Sequence, residues 1–219
     1  MFILVQAHQY ERYRSLIDQS FRLRKRVFHD QLGWAVEIQG DRERDAYDMQ
    51  RPAYLMWCNE RADRLYGTLR LMPTTGPTLL YDVFRDTFPN ADLMAPGIYE
   101  GTRMCIDEEV LAKDFPSLDP GHAFCMLLLA LCECGLTHGI HTLVSNYEPQ
   151  LARIYRRAGL AVEEVGRANG YGRFPVCCGI FEVSEAVHAR MQKRLGISSP
   201  LYASYRARQL TEASDRLTA

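Results

Sequence analysis

The chain has 219 residues, 47% of them hydrophobic, so it can bury one sizeable core and a single domain is expected. Its 26 basic against 27 acidic residues exclude a globally basic nucleic-acid binder, and the longest apolar run, residues 124–131, is too short to span a bilayer. Seven cysteines, an odd number with no CxxC pair, read as buried reduced thiols; MFILVQAHQY lacks signal-peptide features, so a cytoplasmic protein without membrane partners is expected.

In chain order, MFILVQA reads as an opening strand. From Tyr10 to Gly33 the apolar residues recur at three- and four-residue steps, which predicts a helix ended by Gly33. EIQGDRERDAYDMQRP follows as a polar loop without apolar period. AYLMWCNE and LYGTLRLMP, split by ERADR, predict an antiparallel hairpin. PTTGPTLL breaks the chain, LLYDVF resumes as a short helical turn, and IYEGTRMCID reads as a strand. DPGHAFCMLLLALCECGLTHG is the clearest helix, with Asp119 as N-cap, Pro120 in the first turn and Gly139 as the stop. Then come a strand in IHTLVS, an amphipathic helix in EPQLARIYRRAGL, strands in AVEEVG and FPVCCGIFEV, and a helix between Ser184 and Gly196. The expected architecture is α/β (α+β): one mixed central sheet flanked by helices, in a domain over 1–196, with a polar, loosely ordered tail over 197–219.

Ten charged or aromatic side chains crowd the first half of the chain: Arg24, Phe28, Trp34, Glu43, Asp45, Asp48, Arg70, Phe84, Glu100 and Arg103. Arg24 and Phe28 are four apart and share a helix face, and an arginine on that face needs a carboxylate partner if it is buried. Glu43, Asp45 and Asp48 lie in the polar loop; acids turned inward would suit a cationic ligand. Glu100 and Arg103 are three apart on a strand, so a regular strand would point them to opposite faces. For both to reach one pocket the strand needs a bulge, expected at Gly101.

FRLRKRVFHDQLGW, ERDAYD, GTLRLMPTTGPTLLYDVF and YEGTRM, in that order, resemble the signature blocks of the acyl-homoserine-lactone synthases, which make quorum-sensing signals. The likeness runs from about Phe21 to Arg103 and more loosely to about Leu160, and all ten positions carry the expected residue type. It implies an N-acetyltransferase-like fold whose two central strands splay apart, and transfer of an acyl group from a thioester to the amine of S-adenosylmethionine. Lactonisation then releases methylthioadenosine. S-adenosylmethionine is consumed as a substrate, so no cofactor and no metal is implied.

The resemblance further implies Glu100 and Glu43 as candidate bases. It implies Arg24, Phe28, Trp34, Asp45, Asp48 and Arg103 as the S-adenosylmethionine pocket, with Arg70 and Phe84 in support. Thr142, Met126 and Leu143, beside Leu127 and Phe181, are expected to line the acyl tunnel. The donor is expected to be acyl carrier protein or acyl-coenzyme A. An acidic carrier needs a basic dock, which Arg153, Arg156 and Arg157 would offer on one helical face. Two alternatives remain at this level: an acetyl-coenzyme A N-acetyltransferase, against which DEEVLAKDFPSLDPGHA lacks a glycine-rich phosphate loop, and a non-enzymatic S-adenosylmethionine-binding module.

Overall fold

The computed structural model describes residues 1–205 and 207. The chain runs β1 (Phe2–Val5), α1 (Arg14–Arg24), a ribbon of β2 (Ile38–Gln39) and β3 (Arg42–Glu43), β4 (Ala53–Cys58), β5 (Leu65–Pro73) and α2 (Leu79–Asp82). It continues through β6 (Ile98–Ile106), α3 (Glu108–Asp114), α4 (Pro120–His138), β7 (Thr142–Tyr147), α5 (Ala152–Ala158), β8 (Glu163–Ala168), β9 (Val176–Glu182) and α6 (Glu185–Leu195).

Seven strands form one sheet in the order β1-β4-β5-β6-β7-β9-β8. Every neighbouring pair is antiparallel except β6 and β7. Those two pair only from Ile98 to Glu100 against Thr142 to Val144, and then part. Past the fork each strand bonds only its outer neighbour, β6 to β5 and β7 to β9. At the apex Ser145 Oγ donates to the Gly101 carbonyl at 2.8 Å. A cleft therefore opens in the middle of the sheet, where backbone N–H and C=O groups face it.

One face of the sheet carries α4. Asp119 caps it by accepting from the His122 amide at 2.8 Å, Pro120 occupies the first turn, and Gly139 ends it at φ +70°. By length and composition α4 could cross a membrane, but its Leu127, Leu129, Ala130 and Cys134 are fully buried inside the protein. On the other face α1 packs Leu16, Ile17, Phe21 and Leu23 against Tyr54 and Met56. All seven cysteines are unpaired and buried.

Four expectations are corrected. The helix expected over Tyr10–Gly33 is α1 followed by π-helical turns over Lys25–Gln31. The polar loop is folded: after the β2–β3 ribbon, Asp45 caps a 3-10 turn (Ala46–Gln50), accepting from the Tyr47 and Asp48 amides. The bulge lies at Arg103 and Met104, which together oppose Leu69, because Thr68 pairs with Cys105 and Arg70 with Thr102. Arg103 sits at φ 55°, a left-handed conformation costing a non-glycine residue roughly 1–2 kcal/mol. The tail does not begin loose at 197: Tyr202 and Tyr205 are buried, and the Leu201 and Tyr202 amides donate to Glu133 at 2.8 and 2.6 Å. The rest of that tail, residues 206 and 208–219, lies outside the described residues.

Candidate active site

Arg24 emerges from the last turn of α1 into the interior, where only compensating charge can hold it. Its Nε donates to Glu43 Oε2 at 2.5 Å, and its two Nη atoms donate to both oxygens of Asp48 at 2.8 Å. Arg70 enters from β5, donating to both oxygens of Asp45 at 2.5 and 2.9 Å, to Asp48 at 3.0 Å and to Thr102 Oγ1 at 3.0 Å. Arg103 completes the set with bonds to Glu43 Oε1 at 3.1 Å and Asp45 Oδ2 at 3.2 Å. Three guanidiniums thus meet three carboxylates, and every carboxylate oxygen accepts from an arginine. Burial pushes the Asp48 carboxyl up, but the guanidiniums of Arg24 and Arg70 prevail and hold it well below the usual carboxylate range.

This geometry corrects the roles expected of the loop acids. Glu43, Asp45 and Asp48 are committed to arginines behind the cleft wall, and none of them lines the cleft. Every oxygen of Glu43, Asp45 and Asp48 is thus engaged by an arginine. Arg24 and Arg70 likewise bond these neighbouring acids. What the network does is seat Arg103: the bulge turns its side chain to the face of Thr102, where it reaches the acids and lines the cleft.

Glu100 is different. It belongs to the last β6–β7 pair, at the apex of the fork, and is fully buried. Its Oε2 accepts from the Leu79 amide at 3.1 Å, and Oε1 meets no hydrogen-bond partner among the described residues. Burial pushes its carboxyl up to about 7, against the pull of Arg70, the α2 amides and Arg103. A carboxyl poised near neutrality with a free oxygen is suited to accept a proton.

The cleft beyond the apex is walled by Thr102, Arg103 and Met104 of β6 and by Ser145, Asn146 and Tyr147 of β7. Aromatic rings close it. Phe28 and Trp34 stack with centroids 5.1 Å apart on one side, and Phe84 lies 4.8 Å from Tyr171 on the other, beside Phe174. Trp34 Nε1 donates to Glu148 Oε1 at 3.0 Å, tying the end of the first helix to the end of β7. Tyr171, Phe174, Ser145 and Glu148 were not anticipated. The signals that would have found them are two aromatics in the glycine-rich turn NGYGRF, and an acid next to a proline just past a strand.

On the α4 face an apolar cavity, lined by Leu69, Leu128, Leu131, Leu143 and Phe181, shares Gly101, Met104, Ser145 and Tyr155 with the cleft. Leu143 and Phe181 both line this cavity. Thr142 does not line the cavity, and its hydroxyl lies 3.0 Å from His141 Nδ1. Met126 and Leu127 pack in the core without lining the cavity. Arg153, Arg156 and Arg157 are exposed on α5, and Arg157 is paired with Asp119 at 2.7 Å. Arg156 instead neighbours Arg190, Lys193 and Arg194 of α6 around an open hollow.

Residues 8–191 match the family model described as autoinducer synthase. The chain is 34% identical over 173 residues to an acyl-homoserine-lactone synthase of Agrobacterium fabrum, covering 78% of this chain and 80% of that protein. It is 33% identical over 211 residues to one of Rhizobium etli, covering 93% and 94%. Its fold superposes on that of BjaI, a CoA-dependent acyl-homoserine lactone synthase solved with SAM and isopentyl-CoA. The TM-score is 0.79 at 23% identity, covering 95% of this chain and 97% of that one. The chain belongs to the autoinducer synthase family, and is an acyltransferase of the acyl-homoserine-lactone synthase kind.

Proposed function

We propose that this chain transfers an acyl group from a thioester to the α-amine of S-adenosylmethionine and lets the product close to the lactone. The observation that carries the reading is the fork, where the aromatic cleft and the apolar cavity share Gly101, Met104, Ser145 and Tyr155, with the buried Glu100 directly behind that wall, next to Gly101 and accepting from the amide of Leu79, which lines the cleft. The cleft suits a nucleoside and the cavity an acyl chain, so amine and thioester carbonyl would meet beside this carboxylate. The presence of both SAM and isopentyl-CoA in the solved relative supports the pairing.

The amine attacks only when neutral. Glu100 takes its proton, directly or through a water, as the nitrogen bonds the acyl carbon and the thiolate leaves to be protonated as a free thiol. In the second step the methionyl carboxylate attacks its own side-chain carbon. The carbon–sulfur bond breaks towards the sulfonium, and neutral methylthioadenosine departs. Because this step is intramolecular with a good leaving group, holding the chain folded supplies most of it. Arg103, fixed by Glu43 and Asp45, orients the acceptor. Thioesters and S-adenosylmethionine are cytoplasmic metabolites, which places the enzyme there, with acyl carrier protein or acyl-coenzyme A as donor.

Incubating the chain with S-adenosylmethionine and a panel of acyl thioesters is expected to release methylthioadenosine and free thiol in equal amounts, with the lactone identified by mass spectrometry. Thiol without methylthioadenosine would instead indicate a plain N-acetyltransferase. Binding with neither product would indicate a sensor module.

A further inference from the structure

We propose that Glu148 is the residue that recognises the sulfonium of the acceptor, an inference that rests on the assignment of S-adenosylmethionine above. The argument is one of charge. Among the described residues, the charged side chains lining the cleft are Arg103 and Glu148. Arg103 is taken up by Glu43 and Asp45, and the network behind it sums to zero: three arginines against three acids. Glu148, by contrast, accepts from Trp34 Nε1 at 3.0 Å and from Gln150 Nε2, and both donors are neutral. Among the described residues no cationic side chain pairs with it, Arg26 of the neighbouring hollow being taken up by Asp107, and it stands in a half-buried cleft walled by aromatic rings, where a cation gains more from it than in open water.

The position of the carboxylate selects the kind of cation. It is held at the edge of the Trp34 indole, one face of which is covered by Phe28. A group drawn to it lies beside an electron-rich ring as well as an anion, a setting that suits a bulky, weakly hydrated sulfonium. The ammonium of the same ligand is the poorer match. Its proton is taken by Glu100, and a second carboxylate beside it would hold that proton on the amine and oppose its attack on the thioester. The sulfonium has no proton to lose and keeps its charge until the ring closes. Once the carbon–sulfur bond breaks, the sulfur is neutral and the attraction to Glu148 ends, which favours departure of methylthioadenosine.

The test separates charge recognition from the placing of Trp34. Glu148→Gln keeps an oxygen to accept from the indole and removes only the charge. The probes are S-adenosylmethionine and S-adenosylhomocysteine, which keeps the ammonium and carboxylate but carries a neutral thioether. Binding is read by quenching of tryptophan fluorescence, and KM and kcat by methylthioadenosine release. The wild-type chain is expected to bind S-adenosylmethionine the more tightly. Glu148→Gln is expected to weaken it about tenfold, with a matching rise in KM, while S-adenosylhomocysteine binds within about twofold of wild type. An equal loss for both ligands overturns the proposal and leaves Glu148 as a support for Trp34; no loss for either also overturns it. A wild-type chain that makes no methylthioadenosine from S-adenosylmethionine overturns the acceptor assignment itself, an outcome distinct from a working enzyme indifferent to Glu148.

Discussion

Glu100 and Asp48 are both buried carboxylates, but only Asp48 has guanidinium partners within bonding distance. Their titrations are displaced in opposite directions, with opposite consequences. Glu100 is raised from 4.5 to about 7. The stability this contributes is therefore present below its unfolded value and lost as pH rises through about 7, while the proposed proton transfer needs the ionised form and would gain over the same interval. Glu100→Gln is expected to lower kcat by about a hundredfold or more, to abolish the rise of rate with pH near neutrality, and to flatten the decline of Tm between about pH 5 and 8. A kcat–pH profile and thermal scans check this. Asp48 is held low, so its contribution is present above its unfolded value and is lost as pH falls through the folded one. Asp48→Asn leaves Arg24 and Arg70 short of an anion and is expected to cost about 3–5 kcal/mol in urea unfolding, with activity lost in proportion to folded protein.

At the scale of elements, the caps were readable and the irregularities were not. Asp119 and Gly139 around α4, and Ser184 and Gly196 around α6, act through neighbours three or four residues away, so the local sequence carries them. The bulge at Arg103 depends on how β5 and β6 register, which no property of YEGTRM states, and the displaced arginine bonds Glu43 and Asp45. Which side of β7 Thr142 presents is unreadable for a related reason. Strand alternation shows which residues share a side, while only packing shows which side meets α4. Close approach of elements shapes the cleft elsewhere as well. Gly166 of β8 lies so near the Thr87 carbonyl that a Cβ would press into it, and Thr87 closes the short turn that starts at Phe84. Gly166→Ala is expected to cost about 1–3 kcal/mol in thermal unfolding and to raise KM for the acceptor by displacing Phe84.

Over the whole molecule the near-zero net charge conceals a strong segregation. The three arginines and three acids of the network neutralise one another in the interior. Outside, Arg153 and Arg156 stand exposed on α5, and Arg156 neighbours the cations of α6. If the donor is an acidic carrier protein, reversing the charge of Arg153 and Arg156 to glutamate is expected to raise KM for carrier-bound acyl groups about tenfold at low salt. The effect should shrink as salt screens it, and a small acyl thioester should be turned over unchanged. Competition between carrier-bound and small donors at two ionic strengths measures this.

By itself the sequence determined the longer strands and helices and the caps of α4 and α6, the likeness to the autoinducer synthases, and the set of ten side chains, because periodicity, capping and motif order are local or linear properties. Only the tertiary structure decided which of those acids are used up. Arg24 finds Glu43 and Asp48, Arg70 finds Asp45, and Arg103 crosses some sixty positions to reach Glu43, pairings that periodicity does not encode. Once the pairs are drawn, the acids expected to hold the ligand are neutralised, Glu100 keeps one oxygen without a partner among the described residues, and Glu148 stands in the cleft bonded to neutral donors. The physical reason is that charges in a low-dielectric interior must be matched, and the match is made by neighbours in space rather than in sequence.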